Sequence, residues 1–384
     1  MNQAEKCSVS VNRSLLAVVA FSLGLAGCGG GGGGGEEVDI TALNDTGATL
    51  CSDGNVALQA CPLATNLARD PAQDAQHGRD SNSLINDDVD GVVGFSFTKV
   101  DSAGNTLAHN AATWSCVRDN ITGLLWDATA SQEVTYTWAL AKAQATGFGS
   151  KCGVSGWRLP TPQELANLVD NSVARSSTST AVIDQKFFPD QKKAVYWSAR
   201  DADATGSATA VWGGDFEYGM LIAQNETTAN RVRLVNGTAK TPSYQFPVAG
   251  TIKDAKTDLL WQQCVDGLSG SGCAVGTAQS YTWQAALNRV VAVNLAKFAG
   301  FGDWRLPNRN ELASIINFSA NNPALDVTAF VGFPQVGGVT PTFWTSTPYA
   351  ADGSKAWTVG FKDGDVAFAD TTATRYILLV RGGR

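Results

Sequence analysis

Apolar and polar positions along this chain fall into two matching sets of patterns. Leu165, Leu168 and Val169 recur at helical spacing, and Leu312, Ile315 and Ile316 repeat them. Both runs open on a helix-start signal: Thr161-Pro162 with Glu164 three residues after the threonine, and Asn308 with Glu311. A short polar residue followed by Glu at that spacing is a capping box, and Pro suits the first helical position. A further helix is predicted over Ala139–Ala145, with Thr137 as its N-cap, and its partner over Gln284–Ala296 follows Tyr281-Thr282-Trp283. Val117 to Trp126 predicts a turn leading into a strand, as does Ile252 to Trp261. Strand-like alternation closes each set, from Val211-Trp212 to Val235 and from Ala356-Trp357 to Val380, with Asp363-Gly364 as a tight turn in the second. Upstream, Val92 to Val100 alternates like a strand and Ser102 to Asn105 reads as a turn; the rest of 36–112 lacks long helical periodicity.

The matching patterns mean that one unit occurs twice. Its hallmark is Trp157-Arg158-Leu159-Pro160 with Glu164-Leu165, returning as Trp304-Arg305-Leu306-Pro307 with Glu311-Leu312. The copies are expected over 113–236 and 248–384, joined by Asn236 to Pro247. The repeat also organises the cysteines. Trp126 aligns with Trp261 and Trp157 with Trp304, which puts Cys116 on Thr251 and Cys152 on Ala299. Both cysteines are missing together from the second copy, as expected if they bond each other. Cys264 and Cys273 sit in an insert of the second copy and are expected to staple it, while Cys51 and Cys61 close a small N-terminal loop.

The chain begins with Lys6, Arg13 and an apolar run from Leu15 to Leu25, too short to span a bilayer and of the form of a secretory signal over 1–27. It ends in Leu25-Ala26-Gly27-Cys28, which resembles the bacterial lipoprotein box. That resemblance implies lipidation of Cys28, and Gly29 in place of Asp implies sorting to the outer membrane; several acyl chains anchor stably. Gly29–Gly35 then reads as a flexible tether, so 28–35 links the anchor to the N-terminal Asp/Asn-rich extension, 36–112. An exported chain also suits disulfides. The formal charge of −7 argues against a nucleic-acid partner, and against highly sulfated glycans unless a local basic patch exists.

The ordered set Asp119, Thr122-Gly123-Leu124 and Trp126, then Thr137-Trp138, Trp157-Arg158-Leu159-Pro160 with Glu164-Leu165, and Tyr196-Trp197-Ser198 resembles the C-terminal domain of the Lcl collagen-like bacterial adhesins. That domain has long been catalogued as one of unknown function. The similarity covers most of 113–381, twice over. More remotely, Arg158-Leu159-Pro160-Thr161 with Glu164 resembles the formylglycine-generating-enzyme type of C-type-lectin-like fold. The resemblance implies an α+β protein of two tandem C-type-lectin-like domains, each with two helices and small, mostly antiparallel sheets. The copies differ at Arg233, which aligns with Leu378, and at Gly123, which aligns with Asp258.

Candidate chemistry is sparse. His77 and His109 both precede the repeats, so no His-based triad or multi-His zinc site lies within a copy. Asn86, Asp88 and Asp90 with Gly91 start like a calcium loop, but Phe97 stands where an EF-hand needs Glu; the alternative is a solvated turn, and calcium is the one cofactor to test. Arg158, Glu164, Arg305 and Glu311 read either as sugar or carboxylate contacts or as a cap with its buried donor, and the structural reading is favoured. Trp126, Trp138, Trp157, Trp197 and Trp304 recur in register and are expected in the core rather than stacked on sugars. Asn322-Pro323 only faintly echoes the calcium tripeptides of classical lectins. The expected function is a non-enzymatic adhesion or binding lipoprotein, attached through Cys28 to outer-membrane lipid and recognising a glycan or envelope ligand. The alternatives are a structural envelope protein with a protein partner and, last, an enzyme acting on an envelope polymer. The ligand site is expected on the Cys264–Cys273 insert and the loops after Tyr196-Trp197 and Phe343-Trp344.

Overall fold

The computed structural model describes residues 43–61, 72–79, 81, 89–128, 134–173, 180–201, 209–335, 337–338 and 340–382. The signal, Cys28, the Gly tether, and Asn86 and Asp88 of the calcium motif lie outside them. No helix of the described residues is long and apolar enough to cross a membrane.

The N-terminal segment holds a two-residue hairpin, β1 (Leu50–Cys51) with β2 (Gln59–Ala60), bridged by Cys51–Cys61. The first copy follows as β3 (Phe97–Val100), β4 (Cys116–Asp119), β5 (Leu125–Asp127), α1 (Trp138–Gly147), α2 (Pro162–Ala166), β6 (Val195–Asp201), β7 (Ala210–Asp215), β8 (Met220–Asn225) and β9 (Val235–Asn236). The second copy opens with β10 (Tyr244–Gln245), β11 (Thr251–Asp254) and β12 (Leu260–Gln262). Its insert is the hairpin β13 (Leu268–Ser269) and β14 (Val275–Gly276). There follow β15 (Ser280–Tyr281), α3 (Trp283–Leu295), α4 (Arg309–Ser314), β16 (Thr342–Pro348), β17 (Lys355–Gly360), β18 (Val366–Asp370), β19 (Arg375–Tyr376) and β20 (Val380–Arg381). The protein is thus α+β, with mostly antiparallel sheets in two tandem domains.

Each copy has one four-stranded antiparallel sheet, ordered β3-β4-β5-β9 in the first and β10-β11-β12-β20 in the second. Strand β3 comes from the segment read as an N-terminal extension, and β10 from the linker. Both segments are therefore built into the domains they precede, in equivalent places. The three disulfides are the expected pairs, Cys51–Cys61 in the N-terminal loop and, as the repeat implied, Cys116–Cys152 and Cys264–Cys273.

The copies share their largest sheet. Its order is β15-β19-β16-β17-β18-β8-β7-β6, and the antiparallel pairing of β18 with β8 at Val366 and Leu221 joins two three-stranded meanders edge to edge. Pairing hides an edge from each copy that would otherwise offer unsatisfied backbone groups. On the shared sheet, Ala166, Trp212 and Leu221 of the first copy form one buried cluster with Ile316, Phe318, Trp357 and Val366 of the second.

Helices α2 and α4 pack together at this junction, while α3 lies in the second copy's own cluster. Helix α3 buries Trp283, Ala286, Leu287, Val290 and Val293, an apolar stripe of helical period. Helices α2 and α4 are single short turns, held by their caps rather than by length. Helix α2 lies close to β7 because Gly214 has no side chain: a Cβ there would stand 3.0 Å from that of Leu165. Gln163 Nε2 donates to Ile316 O at 3.0 Å, and Arg309 Nη1 donates to Ala166 O at 3.1 Å, so each copy hydrogen-bonds the other. The Arg309 guanidinium also donates to Gly219 O and lies over the Trp357 ring.

Candidate functional site

The repeated motif builds the frame around the site. Arg158 donates from both terminal nitrogens to Glu164, at 2.8 and 2.7 Å, and from Nε to Gly237 O at 2.9 Å. Arg305 makes the same fork to Glu311, at 2.6 Å twice, and reaches Gly382 O at 2.9 Å. Each Glu also closes its capping box: Glu164 Oε2 accepts Thr161 N at 2.8 Å, and Glu311 Oε2 accepts Asn308 N at 2.8 Å. The four side chains tie each short helix to the last strand of its copy, leaving the carboxylates fully engaged. Trp157 and Trp304 are buried behind them, with indole N–H groups on Val154 O and Phe298 O. Trp126 and Trp197 are buried too. Trp138 is half-buried, its ring covered by Lys142 Nζ at 3.5 Å.

The positions where the copies differ have structural explanations. Gly123 and Asp258 both adopt positive φ, 76° and 58°, and Asp tolerates that region better than most residues. Arg233 is fully buried; its Nε donates to Gln191 Oε1 at 2.8 Å, its Nη1 to Asp127 O, and burial lowers its pKa. Leu378 fills the corresponding place by apolar packing. Asn322 holds a turn, accepting Thr340 N at 2.7 Å and donating to Gly338 O at 2.7 Å. Asp90, the described member of the calcium motif, accepts Ser96 Oγ at 2.5 Å. Among the described residues no group of three or more His, Cys, Asp or Glu is placed to hold a metal.

A groove runs over the N-terminus of the short helix in each copy, and the two grooves have different fates. In the second copy the chain's own N-terminal segment fills it. Asn308 Nδ2 donates to Asp45 Oδ1 at 2.7 Å, and Asn310 Nδ2 donates to the carbonyls of Asn44 and Asp45 at 3.1 Å each. Thr347 Oγ1 donates to Asp74 Oδ2 at 2.6 Å, which also accepts Thr46 Oγ1 at 2.6 Å. This strap bonds the first copy as well: Asn44 Nδ2 donates to Asp119 Oδ2 at 2.7 Å, and Asn171 N to Thr46 O at 2.7 Å. Asp74 is fully buried, and burial, reinforced by the nearby Asp45 charge, pushes its pKa up.

In the first copy the groove is open among the described residues. It forms a cleft of about 430 Å³ between the copies, walled by the α2 N-terminus, the linker 238–242 and the segment from Ser314 to Ser319. Arg200, Lys240 and Lys256 line it. Lys256 Nζ donates to Lys240 O at 2.7 Å, and burial lowers its pKa. Of the acidic lining residues, Glu164 is paired with Arg158, while Asp326 accepts the Thr328 hydroxyl at 2.6 Å, a bond that lowers its pKa and keeps it ionised, so three cations face one uncompensated carboxylate. A locally basic cleft therefore sits in a chain of net charge −7.

The structure brings only part of the expected ligand surface to this cleft. Arg200 belongs to the segment after Tyr196-Trp197, whereas neither the Cys264–Cys273 insert nor the loop after Phe343-Trp344 lines it. Lys240 and Lys256 were not singled out in the sequence, because they come from the linker and from a β-turn of the other copy. Arg200 did carry a signal: it aligns with Thr347 when Tyr196-Trp197-Ser198 is laid on Phe343-Trp344-Thr345.

A family model described as the Lcl C-terminal domain matches this chain twice, over residues 115–236 and 250–381. No curated protein matches it.

Proposed function

The chain belongs to the Lcl C-terminal domain family, carried in two tandem copies, and from that premise we propose that it is a non-enzymatic binding and adhesion module. It is held at the outer membrane by lipid on Cys28, and recognises a glycan or envelope ligand. The observation that carries this reading is the basic cleft between the copies, lined by Arg200, Lys240 and Lys256 and built from both of them. A concave site with a few placed polar groups is the usual form of a ligand site. The two helices, antiparallel meander and irregular connections of each copy support reading each as a C-type-lectin-like domain. The Leu25-Ala26-Gly27-Cys28 sequence supports the anchor, and Gly29–Gly35 gives it reach.

Soluble residues 36–384 applied to a glycan array and to isolated cell envelopes test the binding. Retention that weakens with Arg200→Glu is expected; no retention on either surface would overturn the adhesion reading. The anchor is tested separately. Cys28→Ser should move the protein from the membrane to the soluble fraction, and protease added to intact cells should cleave the wild-type chain if it faces outward.

A further inference from the structure

The two grooves are equivalent places, one filled and one open, and the filled one shows what the shape accepts. Equivalence is fixed by matched hydrogen bonds. Ala199 N donates to Pro160 O at 2.7 Å, as Ser346 N does to Pro307 O at 2.8 Å. Trp138 Nε1 donates to Ser198 O at 2.9 Å, as Trp283 Nε1 does to Thr345 O at 2.8 Å. Under this correspondence Asn308, Asn310 and Thr347, which hold the N-terminal segment, map onto Thr161, Gln163 and Arg200. All three line the open cleft.

Two pieces of the N-terminal segment fill the second groove: the strap 43–52 brings Asp45 to Asn308, and the 3-10 turn Asp74–Gln76 brings the Asp74 carboxyl group to Thr347. In the open groove the position of Thr347 is taken by Arg200. The neutral hydroxyl that holds the Asp74 carboxyl group is thus replaced by a guanidinium, which suits an ionised carboxylate. Lys240 and Lys256 add charge of the same sign on the facing wall. We propose that the open cleft binds an acidic peptide segment of a partner protein, seating a carboxylate on Arg200 in the place where the second copy seats Asp74 on Thr347. The proposal rests on the reading of the cleft as the ligand site and names the class of ligand.

The test uses the full mature chain carrying Cys28→Ser and a fluorescent peptide with the sequence of Leu43–His77 and the changes Cys51→Ser and Cys61→Ser. Anisotropy should show saturable binding that weakens as salt rises. Arg200→Glu in the protein and Asp74→Asn in the peptide should each weaken it about tenfold, and the two together should cost little more than either alone. Circular dichroism confirms that the Arg200→Glu protein stays folded, as expected for an exposed side chain. Absence of saturable binding, or binding indifferent to Arg200→Glu, overturns the proposal. An oligogalacturonate that binds in an Arg200-dependent way while the peptide does not also overturns it, yet leaves the cleft standing as the ligand site. If Arg200→Glu alters neither probe nor binding to envelopes, the cleft reading falls as well.

Discussion

At the scale of single residues, the same motif does unequal work in its two copies. The Arg305–Glu311 fork is nearly closed to solvent, with side chains 8% and 10% exposed, whereas Arg158 is 28% exposed. Removing one partner of a buried ion pair strands the other charge. Glu311→Ala should therefore cost about 3–5 kcal/mol. Glu164→Ala, which loses a cap and a better-hydrated pair, should cost about 2 kcal/mol. Thermal melts of the two variants check the order, and equal losses would refute it. Asp74 governs a pH effect. Burial pushes its carboxyl up to about 8, from an unfolded value of 3.8, so the folded state keeps a proton that the unfolded state has lost over that window. Stability should then fall as pH rises from about 4 to 8. Asp170 and Asp365, each pushed to about 6 by burial, act in the same direction. Asp74→Asn should flatten the melting temperature against pH; an unchanged slope would remove Asp74 from this role.

At the scale of elements, the sequence was most legible where local rules suffice. The capping boxes start α2 and α4 at Pro162 and Arg309, each one residue past the predicted N-cap. Helix α1 starts one residue before and ends two residues after its predicted span, and α3 starts and ends one residue earlier than predicted. Thr282 caps α3 through its side chain, at 3.4 Å from Ala285 N, while Thr137 makes no such bond to α1. Strand β3 occupies only Phe97–Val100 of the alternation read from Val92 to Val100, and its partner was not visible, because pairing joins segments far apart in sequence. The disulfides divide by element too. Cys116–Cys152 ties β4 to the turn before Trp157 across 36 residues, whereas Cys264–Cys273 spans only 9 within its insert. Replacing both Cys116 and Cys152 by Ser should cost roughly 3–4 kcal/mol by loss of loop constraint. The same change at Cys264 and Cys273 opens a shorter loop and should cost less, roughly 2–3 kcal/mol. Non-reducing peptide mapping should return the three intramolecular pairs, and a Cys116–Cys264 peptide would break the scheme.

At the scale of the whole molecule, the repeat behaves as one body rather than two beads. Leu221 and Val366 face each other across the sheet junction, and one apolar cluster draws on both copies. Calorimetry of the wild-type chain should accordingly show a single main transition. Leu221→Asp, which places a charge in that cluster, should lower it sharply or split it, since burying an unpaired charge is strongly unfavourable. Two well-separated transitions in the wild type would argue for independent domains. A rigid pair also fixes the width of the cleft, so that Arg200 from one copy and Lys256 from the other face a common space.

The sequence by itself determined the duplication, the family, the three disulfide pairs and the short helices of each copy. All of these rest on local spacing or on comparing one copy with the other. The Trp157–Leu165 stretch could be read as frame for the same reason, since a cap and its helix are nine neighbouring residues. Only the tertiary structure decided that β8 meets β18, that the N-terminal segment fills the second groove, and that the first groove stays open. Those outcomes depend on which edge pairs with which, and on a segment lying more than 260 residues from Asn308 and Asn310 in sequence. Arg200 could be noticed from the alignment of copies, but its meaning came from space: its counterpart Thr347 holds a carboxylate, and Arg200 lines an empty groove of the same form.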